Sequence, residues 1–138
     1  LASFDEAEIG QMFFSHAMID DGQVFPNMDG PAVFKVAVEK FPAVIKEALE
    51  ANNRTTADIN LLIPHQANLR ISQFVQKKLQ LRDDQVYNNI MYYGNTTAAS
   101  VPIALCEAWE KGKVKDGDLV CLAAFGSGFT WGSVLLNW

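Results

Sequence analysis

The stretch LVCLAAFGSGFTWGSVLL, residues 119–136, contains the strongest indication of the fold. Its first part, residues 119–125, is a short apolar run of the length expected of a buried strand. A Gly-Ser-Gly segment at 126–128 then reverses the chain, and residues 129–136 form a second strand pattern. Two strands joined by so short a glycine-containing segment pair in antiparallel fashion, so this stretch predicts a C-terminal hairpin.

Strands and helices alternate upstream of this hairpin. Residues 61–63 form a short apolar run that stops at Pro64, and residues 86–93 form another strand pattern that ends at Gly94. Helical patterns lie between these strand patterns. The alternation predicts an α/β fold with a mixed, mostly parallel sheet, packed helices and the antiparallel hairpin at the C-terminal end.

Three helices are predicted from apolar residues at helical spacing. The first starts near Gly30, where Asp29 or Gly30 can cap it, and ends at an Asn-Asn pair. Pro42 lies inside this helix and predicts a kink or an interruption, because its ring removes one backbone hydrogen bond. The other two helices are predicted over residues 67–79 and 96–109.

The composition limits the class of protein. The 138 residues are about one domain's worth, and a hydrophobic fraction of 49% is enough to build a core. A net charge of -5 disfavours a surface for duplex nucleic acid, and no apolar run approaches the ~20 residues of a membrane helix. Two cysteines indicate reduced thiols in a cytoplasm rather than a disulfide framework. The chain begins with Leu1 and not with Met, which suggests a piece of something longer.

Three features follow the carboxyl ends of predicted strands: His65, Asn95 and the turn at residues 126–128. Each of them taken alone is an ordinary residue or turn. Ligands bind at this edge of open α/β sheets, so the convergence of the three predicts a site. The turn can offer backbone N–H groups to an oxyanion. It does not match a dinucleotide-binding fingerprint, because a strand and not a helix follows it.

The other reactive side chains are not expected to perform chemistry. Cys106 lies inside a predicted helix and Cys121 within an apolar strand, whereas a reactive thiolate is favoured at a helix N-terminus or beside a cation. His16 is interpreted as structural. With two histidines and no Cys or carboxylate at ligand spacing, the sequence predicts neither a metal site nor a resident cofactor.

A basic helix face runs against the acidic character of the chain. Arg70 and Lys77 are seven residues apart on the predicted helix 67–79 and share a face, with Lys78 beside them. Lys35 lies on the preceding helix. Two interpretations are open: a solvated helix face, or a docking surface that steers an acidic partner.

Three motifs occur in order along the chain: PHQANLR at residues 64–70, GNTTAASVP at 94–102 and FGSGFTWG at 125–132. Together they resemble the C-terminal half of β-ketoacyl-acyl carrier protein synthase III. MDGPAVFK at 28–35 is similar to the segment that leads into the first helix of this half in that family. The resemblance implies the thiolase fold, in which two similar α/β halves each contain a five-stranded mixed sheet with helices.

The resemblance also implies a domain organisation and a catalytic set. Residues 28–138 would form the C-terminal catalytic half-domain, preceded by residues 1–27 as an irregular lead-in of the same domain. The family uses Cys, His and Asn. His65 and Asn95 match the His and the Asn, and the nucleophilic Cys would lie in the N-terminal half, outside this chain. The backbone N–H of Ser127, where the family usually has Gly, would hold an oxyanion.

Substrate contacts follow from the same resemblance. Asn68 would contact the pantetheine arm of the substrate. The basic set described above would meet the acidic acyl carrier protein. The other implied substrate-binding residues are Met28, Gly30, Phe34 and Phe125.

The implied activity is that of an acyltransferase that starts type II fatty acid synthesis. A coenzyme A thioester would acylate the Cys, and malonyl-acyl carrier protein would lose carbon dioxide and attack the acyl group. The intact enzyme would be a cytoplasmic homodimer that binds neither nucleic acid nor membrane, and this chain alone would be inactive. Two alternatives stay open. One is another Cys-His-Asn synthase of the thiolase fold, such as a chalcone or alkylquinolone-forming synthase, and the other is a non-catalytic interaction domain that kept the fold.

Overall fold

The computed structural model describes residues 16–23 and 28–138. The chain forms two compact units, Leu1–Val33 and Phe34–Trp138. The irregular lead-in predicted over residues 1–27 lies mostly outside the described residues. Its described part contains one short helix, α1, which spans His16–Asp20.

Helix α2 spans Gly30–Ala51 and begins as the sequence predicts. The Asp29 Oδ1 accepts the backbone N–H of Ala32 at 3.0 Å, so Asp29 caps the first turn. Pro42 lies inside the helix, which continues through it, so the predicted interruption is wrong and a kink stays a prediction. The ring of Pro42 is buried, and burial of its apolar surface offsets the lost backbone bond.

A three-stranded sheet lies in the second unit. Strands β1 (Leu61–Pro64) and β2 (Leu119–Gly126) run parallel, and β2 pairs with β3 (Thr130–Asn137) in antiparallel fashion. The order is β1-β2-β3, so the described residues form three strands of this sheet and not the five that the resemblance implies. The α/β class, the mixed sheet and the C-terminal hairpin are therefore confirmed.

The strand predicted over residues 86–93 is wrong. Val86 forms a single parallel bridge with Leu62, and the chain then turns into a short helix, α4, over Ile90–Tyr93. The side chain of Gln66 accepts the backbone N–H of Ile90 at 3.2 Å, which starts this helix and ends the sheet pairing. The apolar residues of this segment therefore follow a helical turn and not an extended strand.

The two other long helices form close to the residues predicted for them. Helix α3 spans Leu69–Leu79 and α5 spans Ser100–Glu110. Pro102 lies in the first turn of α5, where its missing N–H costs nothing. No described helix combines the length and apolar character needed to cross a membrane. Short 3-10 turns span Thr56–Asp58, Asp83–Gln85 and Thr97–Ala99.

The core places α5 directly against the sheet. Ala104 and Ala108, one helical turn apart, are fully buried against β1 and β2. Small side chains at these positions let the helix axis approach the strands closely. The helix is thereby held in fixed register to the carboxyl end of β1. The buried cluster consists of Leu61, Ile63, Ala104, Ala108, Val114 and Val120.

Candidate active site

His65 lies directly after β1 at the carboxyl edge of the sheet. Its backbone N–H donates to the carbonyl of Ala123 on β2 at 2.7 Å, so the residue stays at the edge after the strand ends. The imidazole is half-buried, and its Nδ1 lies 2.5 Å from the Oγ of Ser100. Burial lowers the pKa of His65, because a buried imidazole is favoured in its neutral form. The ring is therefore a neutral group near pH 7.

The next residue, Gln66, ties two loops together. Its side chain is 3% exposed. Nε2 donates to the carbonyl of Pro64 at 2.6 Å, and Oε1 accepts the backbone N–H groups of Asn89 at 3.0 Å and Ile90 at 3.2 Å. One side chain thus joins the loop that carries His65 to the segment that enters α4.

The segment that enters α4 is also attached to α5. The Nδ2 of Asn89 donates to a carboxylate oxygen of Glu107 at 2.8 Å. Lys111 pairs with the same carboxylate, and its ammonium lies 5.8 Å from the ring centre of Tyr87. These contacts lower the pKa of Glu107, chiefly through the hydrogen bond from Lys111. The carboxylate is therefore charged and holds the segment in place.

Asn95 follows α4 in a turn that fixes its amide. Gly94 precedes it with φ +68°, a backbone conformation that favours glycine. The Oδ1 of Asn95 accepts the backbone N–H of Thr97 at 2.9 Å. Since an N–H can only donate, this contact identifies the amide oxygen and leaves Nδ2 as the outward donor. Among the residues the structure describes, Nδ2 has no acceptor, and the side chain is exposed.

The turn after β2 lies at the same edge of the sheet as His65. Gly128 adopts φ +137°, and a Cβ there would lie 2.8 Å from the Cγ2 of Thr130, so this position requires glycine. Ser127 has no positive φ and accommodates its side chain. Its carbonyl accepts the Thr130 hydroxyl at 3.0 Å. Its N–H forms no hydrogen bond within the described part of the chain, so it is free to bind an anion.

Two predicted substrate residues lie in aromatic contacts. Phe125, at the end of β2, is buried and stacks on Phe129 and Trp131 at centroid distances of 5.4 and 6.3 Å. Phe34 packs edge-on against Phe74 at 6.2 Å. These contacts hold the rings in place, and the substrate roles of Phe34 and Phe125 remain predictions.

The other predicted substrate residues lie at helix starts. Asn68 caps α3, because its Oδ1 accepts the backbone N–H of Arg70 at 2.9 Å. This role is structural, and the Nδ2 of Asn68 is the atom left for a ligand. Met28 is exposed and Gly30 is the first residue of α2, both in the first unit. Their contact with substrate remains a prediction.

The predicted basic set is solvent-exposed. Arg70 lies in the first turn of α3 and Lys77 and Lys78 in the last, while Lys35 lies on α2. The guanidinium of Arg70 lies 6.0 Å from the ring centre of Phe34. Within residues 16–23 and 28–138, none of the four forms an ion pair. Their charges are therefore available to a partner, although cations in the last turn also suit the helix dipole.

Neither cysteine has the surroundings of a nucleophile. Burial raises the pKa of Cys121 to about 12, so its thiol is protonated near neutral pH. Cys106 is exposed in the body of α5, and its Sγ donates to a carboxylate oxygen of Glu110 at 3.7 Å rather than lying beside a cation. The described residues contain no group of three or more His, Cys, Asp or Glu side chains arranged to hold a metal. A polar surface depression of about 420 Å³ beside Arg82 and Lys113 contains none of the predicted site residues.

The structure places two of the three predicted features, His65 and the turn at 126–128, at one end of the sheet, whereas Asn95 follows helix α4 and not a strand. His65 and the turn at 126–128 follow neighbouring parallel strands, and Asn95 lies five residues before Ser100, which contacts His65. In the described part of the chain, no hydrogen bond joins His65 to Asn95. The arrangement offers an imidazole, a carboxamide N–H and a backbone N–H, all uncharged. Such donors suit an oxygen on which negative charge develops.

Sequence reasoning missed two residues of this arrangement, Gln66 and Ser100. Both are buried polar residues, 3% and 2% exposed, and both lie within the motifs that contain His65 and Asn95. The sequence feature that could have identified them is a polar residue in an apolar context: Gln66 comes just after an apolar strand, and Ser100 begins an apolar helix. Buried polar side chains need partners, so such positions indicate connections between loops.

Comparison with known proteins gives concordant matches. Residues 49–138 match the family model described as 3-Oxoacyl-[acyl-carrier-protein (ACP)] synthase III C terminal. The Beta-ketoacyl-[acyl-carrier-protein] synthase III of Campylobacter jejuni is 51% identical over 110 residues, which are 80% of this chain and 34% of that protein. The Clostridium tetani protein of the same name is 50% identical over 114 residues, 83% of this chain and 34% of that protein.

Solved structures agree with these matches. The crystal structure of 3-oxoacyl-[acyl-carrier-protein] synthase III from Aquifex aeolicus is similar with a TM-score of 0.80 at 48% identity. The match covers 81% of this chain and 36% of that one. The chain therefore spans about a third of the length of the relatives that it matches.

Proposed function

The chain belongs to the 3-oxoacyl-[acyl-carrier-protein] synthase III family, and we propose that it is the C-terminal part of a decarboxylating condensing enzyme. This enzyme joins an acyl-coenzyme A primer to malonyl-acyl carrier protein at the start of type II fatty acid synthesis. The observation that carries the proposal is the presence of uncharged donors from His65 and Ser127 at one edge of the sheet, with the Asn95 amide five residues before Ser100, which contacts His65. Its homodimeric state and its cytoplasmic location remain predictions.

The donors fit the decarboxylation step. When the malonyl thioester breaks its bond to the carboxyl carbon, carbon dioxide leaves and the electron pair moves onto the thioester oxygen. A neutral His65 and the Nδ2 of Asn95 can each donate a hydrogen bond to this oxygen as the enolate forms. Burial favours the neutral imidazole, which donates without taking part in a proton transfer.

The turn after β2 fits the condensation step. The enolate carbon attacks the acyl group on the cysteine, and the carbonyl oxygen of that group becomes an oxyanion. The free N–H of Ser127 can donate to it. The cysteine sulfur then leaves as a thiolate and the 3-oxoacyl chain stays on the carrier protein. A serine in place of glycine keeps the backbone donor, because this position does not require a positive φ.

The cysteine comes from outside residues 1–138 in this proposal. In a full-length enzyme carrying this chain, labelled acetyl-coenzyme A is expected to acylate a cysteine other than Cys106 or Cys121, since Cys121 is buried and Cys106 lies in the body of a helix rather than at its N-terminus. Peptide mapping after a single turnover locates the label. A label on Cys106 or Cys121 would contradict the assignment.

The basic set supplies a docking surface for the acidic carrier protein. Reversing two of its charges, Arg70→Glu with Lys77→Glu, is expected to lower kcat/KM for malonyl-acyl carrier protein roughly tenfold at low salt, because complementary charges raise the association rate. Acetyl transfer from coenzyme A should change little. Steady-state kinetics of the full-length enzyme, with each substrate varied in turn, measure both values.

A matched control separates docking from net charge. Lys113→Glu with Lys115→Glu makes the same change of charge on exposed lysines after α5 and should leave both substrates unaffected. Added salt should weaken use of the carrier protein by the wild type and not by the Arg70 and Lys77 variant. An equal loss of kcat/KM for both substrates, or the same loss in the control variant, would show that the basic set is an ordinary solvated helix face.

A further inference from the structure

Ser100, the first residue of α5, is placed against the loop that carries His65. Its side chain is 2% exposed. Its Oγ lies 2.5 Å from the Nδ1 of His65 and accepts the backbone N–H of Gln66 at 3.2 Å. The hydroxyl oxygen is therefore already an acceptor, and its hydrogen needs a partner.

The hydroxyl hydrogen has one acceptor among the described residues. Gln66 N can only donate, so the remaining neighbour of the Ser100 oxygen is the Nδ1 of His65. If Nδ1 carried the proton instead, the hydroxyl hydrogen would be buried without an acceptor, which is costly. The hydrogen-bond pattern therefore leaves Nδ1 as the acceptor of the Ser100 hydroxyl.

We propose that Ser100 is a positioning residue whose hydroxyl holds His65 in the tautomer protonated at Nε2. A neutral imidazole carries a single ring proton, so an unprotonated Nδ1 requires an N–H at Nε2. The inference rests on the proposed function for its consequence: in this tautomer the ring can donate to the enolate oxygen. In the opposite tautomer, Nε2 would direct a lone pair at that oxygen and repel it.

The tautomer can be observed without turnover. In the full-length enzyme with 15N-labelled histidine, the two nitrogens of His65 are assigned by the signals lost in His65→Ala. At a pH where the ring is neutral, we expect Nε2 to show the shift of a protonated ring nitrogen and Nδ1 that of an unprotonated one. The reverse pattern in the wild type would overturn the proposal, whether or not the enzyme condenses its substrates.

Variants test the role of the hydroxyl. Ser100→Ala should shift His65 toward a mixture of tautomers and slow decarboxylation about tenfold, the loss expected of one net hydrogen bond. Ser100→Thr keeps the hydroxyl and should restore the wild-type 15N pattern and most of the rate. Ser72→Ala is the matched control, because Ser72 is also a buried helix serine but donates to the Oδ1 of Asn88. It should leave the His65 signals and the rate unchanged.

The outcomes separate this inference from the proposed function. If the wild type fails to condense its substrates but Ser100→Ala changes the His65 tautomer, the function is wrong and the role of Ser100 stands. If condensation occurs and Ser100→Ala folds with an unchanged tautomer, the role of Ser100 is wrong. If Ser100→Ala does not fold, the wild-type spectrum and Ser100→Thr decide the question.

Discussion

Alanine at His65 or Asn95 is expected to slow decarboxylation of malonyl-acyl carrier protein by ~10²–10³-fold in the full-length enzyme, because each change removes a donor to the developing enolate. Acylation of the cysteine by acetyl-coenzyme A should stay close to the wild-type rate, since that step places no charge on the same oxygen. Release of labelled carbon dioxide and single-turnover labelling measure the two steps separately.

A second substitution at Asn95 removes its Nδ2 donor while keeping the Oδ1 acceptor that stabilises the turn. Asn95→Asp keeps the Oδ1 that accepts the Thr97 N–H but replaces the Nδ2 donor by an oxygen. It should be at least as slow as the alanine variant. Asn60→Ala is the matched control, because the Oδ1 of Asn60 also accepts a backbone N–H, from Leu119 at 2.8 Å, at the opposite end of β2. Equal losses of acylation and decarboxylation in a folded Asn95→Asp would contradict the division of steps.

The sequence allowed the family, its thiolase-like fold and the C-terminal hairpin to be predicted, and all three are confirmed. The hairpin depends on local chemistry, since apolar runs and a Gly-Ser-Gly turn are adjacent in the chain. The placement of His65 at the carboxyl edge follows equally from a strand that ends at Pro64. Each of these features is specified by neighbouring residues, which periodicity can detect.

The segment around Val86 could not be predicted in this way. Its β-branched and aromatic residues favour a strand, and Val86 does pair with Leu62. The side chain of Gln66, more than twenty positions earlier, then accepts the backbone N–H groups of Asn89 and Ile90, and α4 begins there. The pairing of Ser100 with His65 spans 35 positions. Contacts of this range depend on how the chain packs, and no local pattern in the sequence indicates them.

Gln66 is therefore the residue whose loss should damage both stability and rate. Gln66→Met keeps much of the side-chain volume but leaves the carbonyl of Pro64 and the N–H groups of Asn89 and Ile90 without their partner. Buried groups left in this way should destabilise the protein by about 3 kcal/mol. The catalytic rate should fall tenfold or more, because the segment that carries Asn95 loses its attachment to the His65 loop, and a small misplacement of a reacting group is costly.

A control variant, Gln85→Met, separates the loss of stability from the loss of catalytic rate. Gln85 is also a buried glutamine, with Nε2 donating to the carbonyl of Ile59 and Oε1 accepting the Arg82 N–H, but its hydrogen bonds reach neither the His65 loop nor the segment that carries Asn95. Melting curves and steady-state rates of both variants in the full-length enzyme provide the comparison. Both should melt at lower temperature, and the rate below the melting range should fall in Gln66→Met alone. If the two variants lose activity in proportion to their stability, Gln66 supports the fold and does not position the catalytic pair.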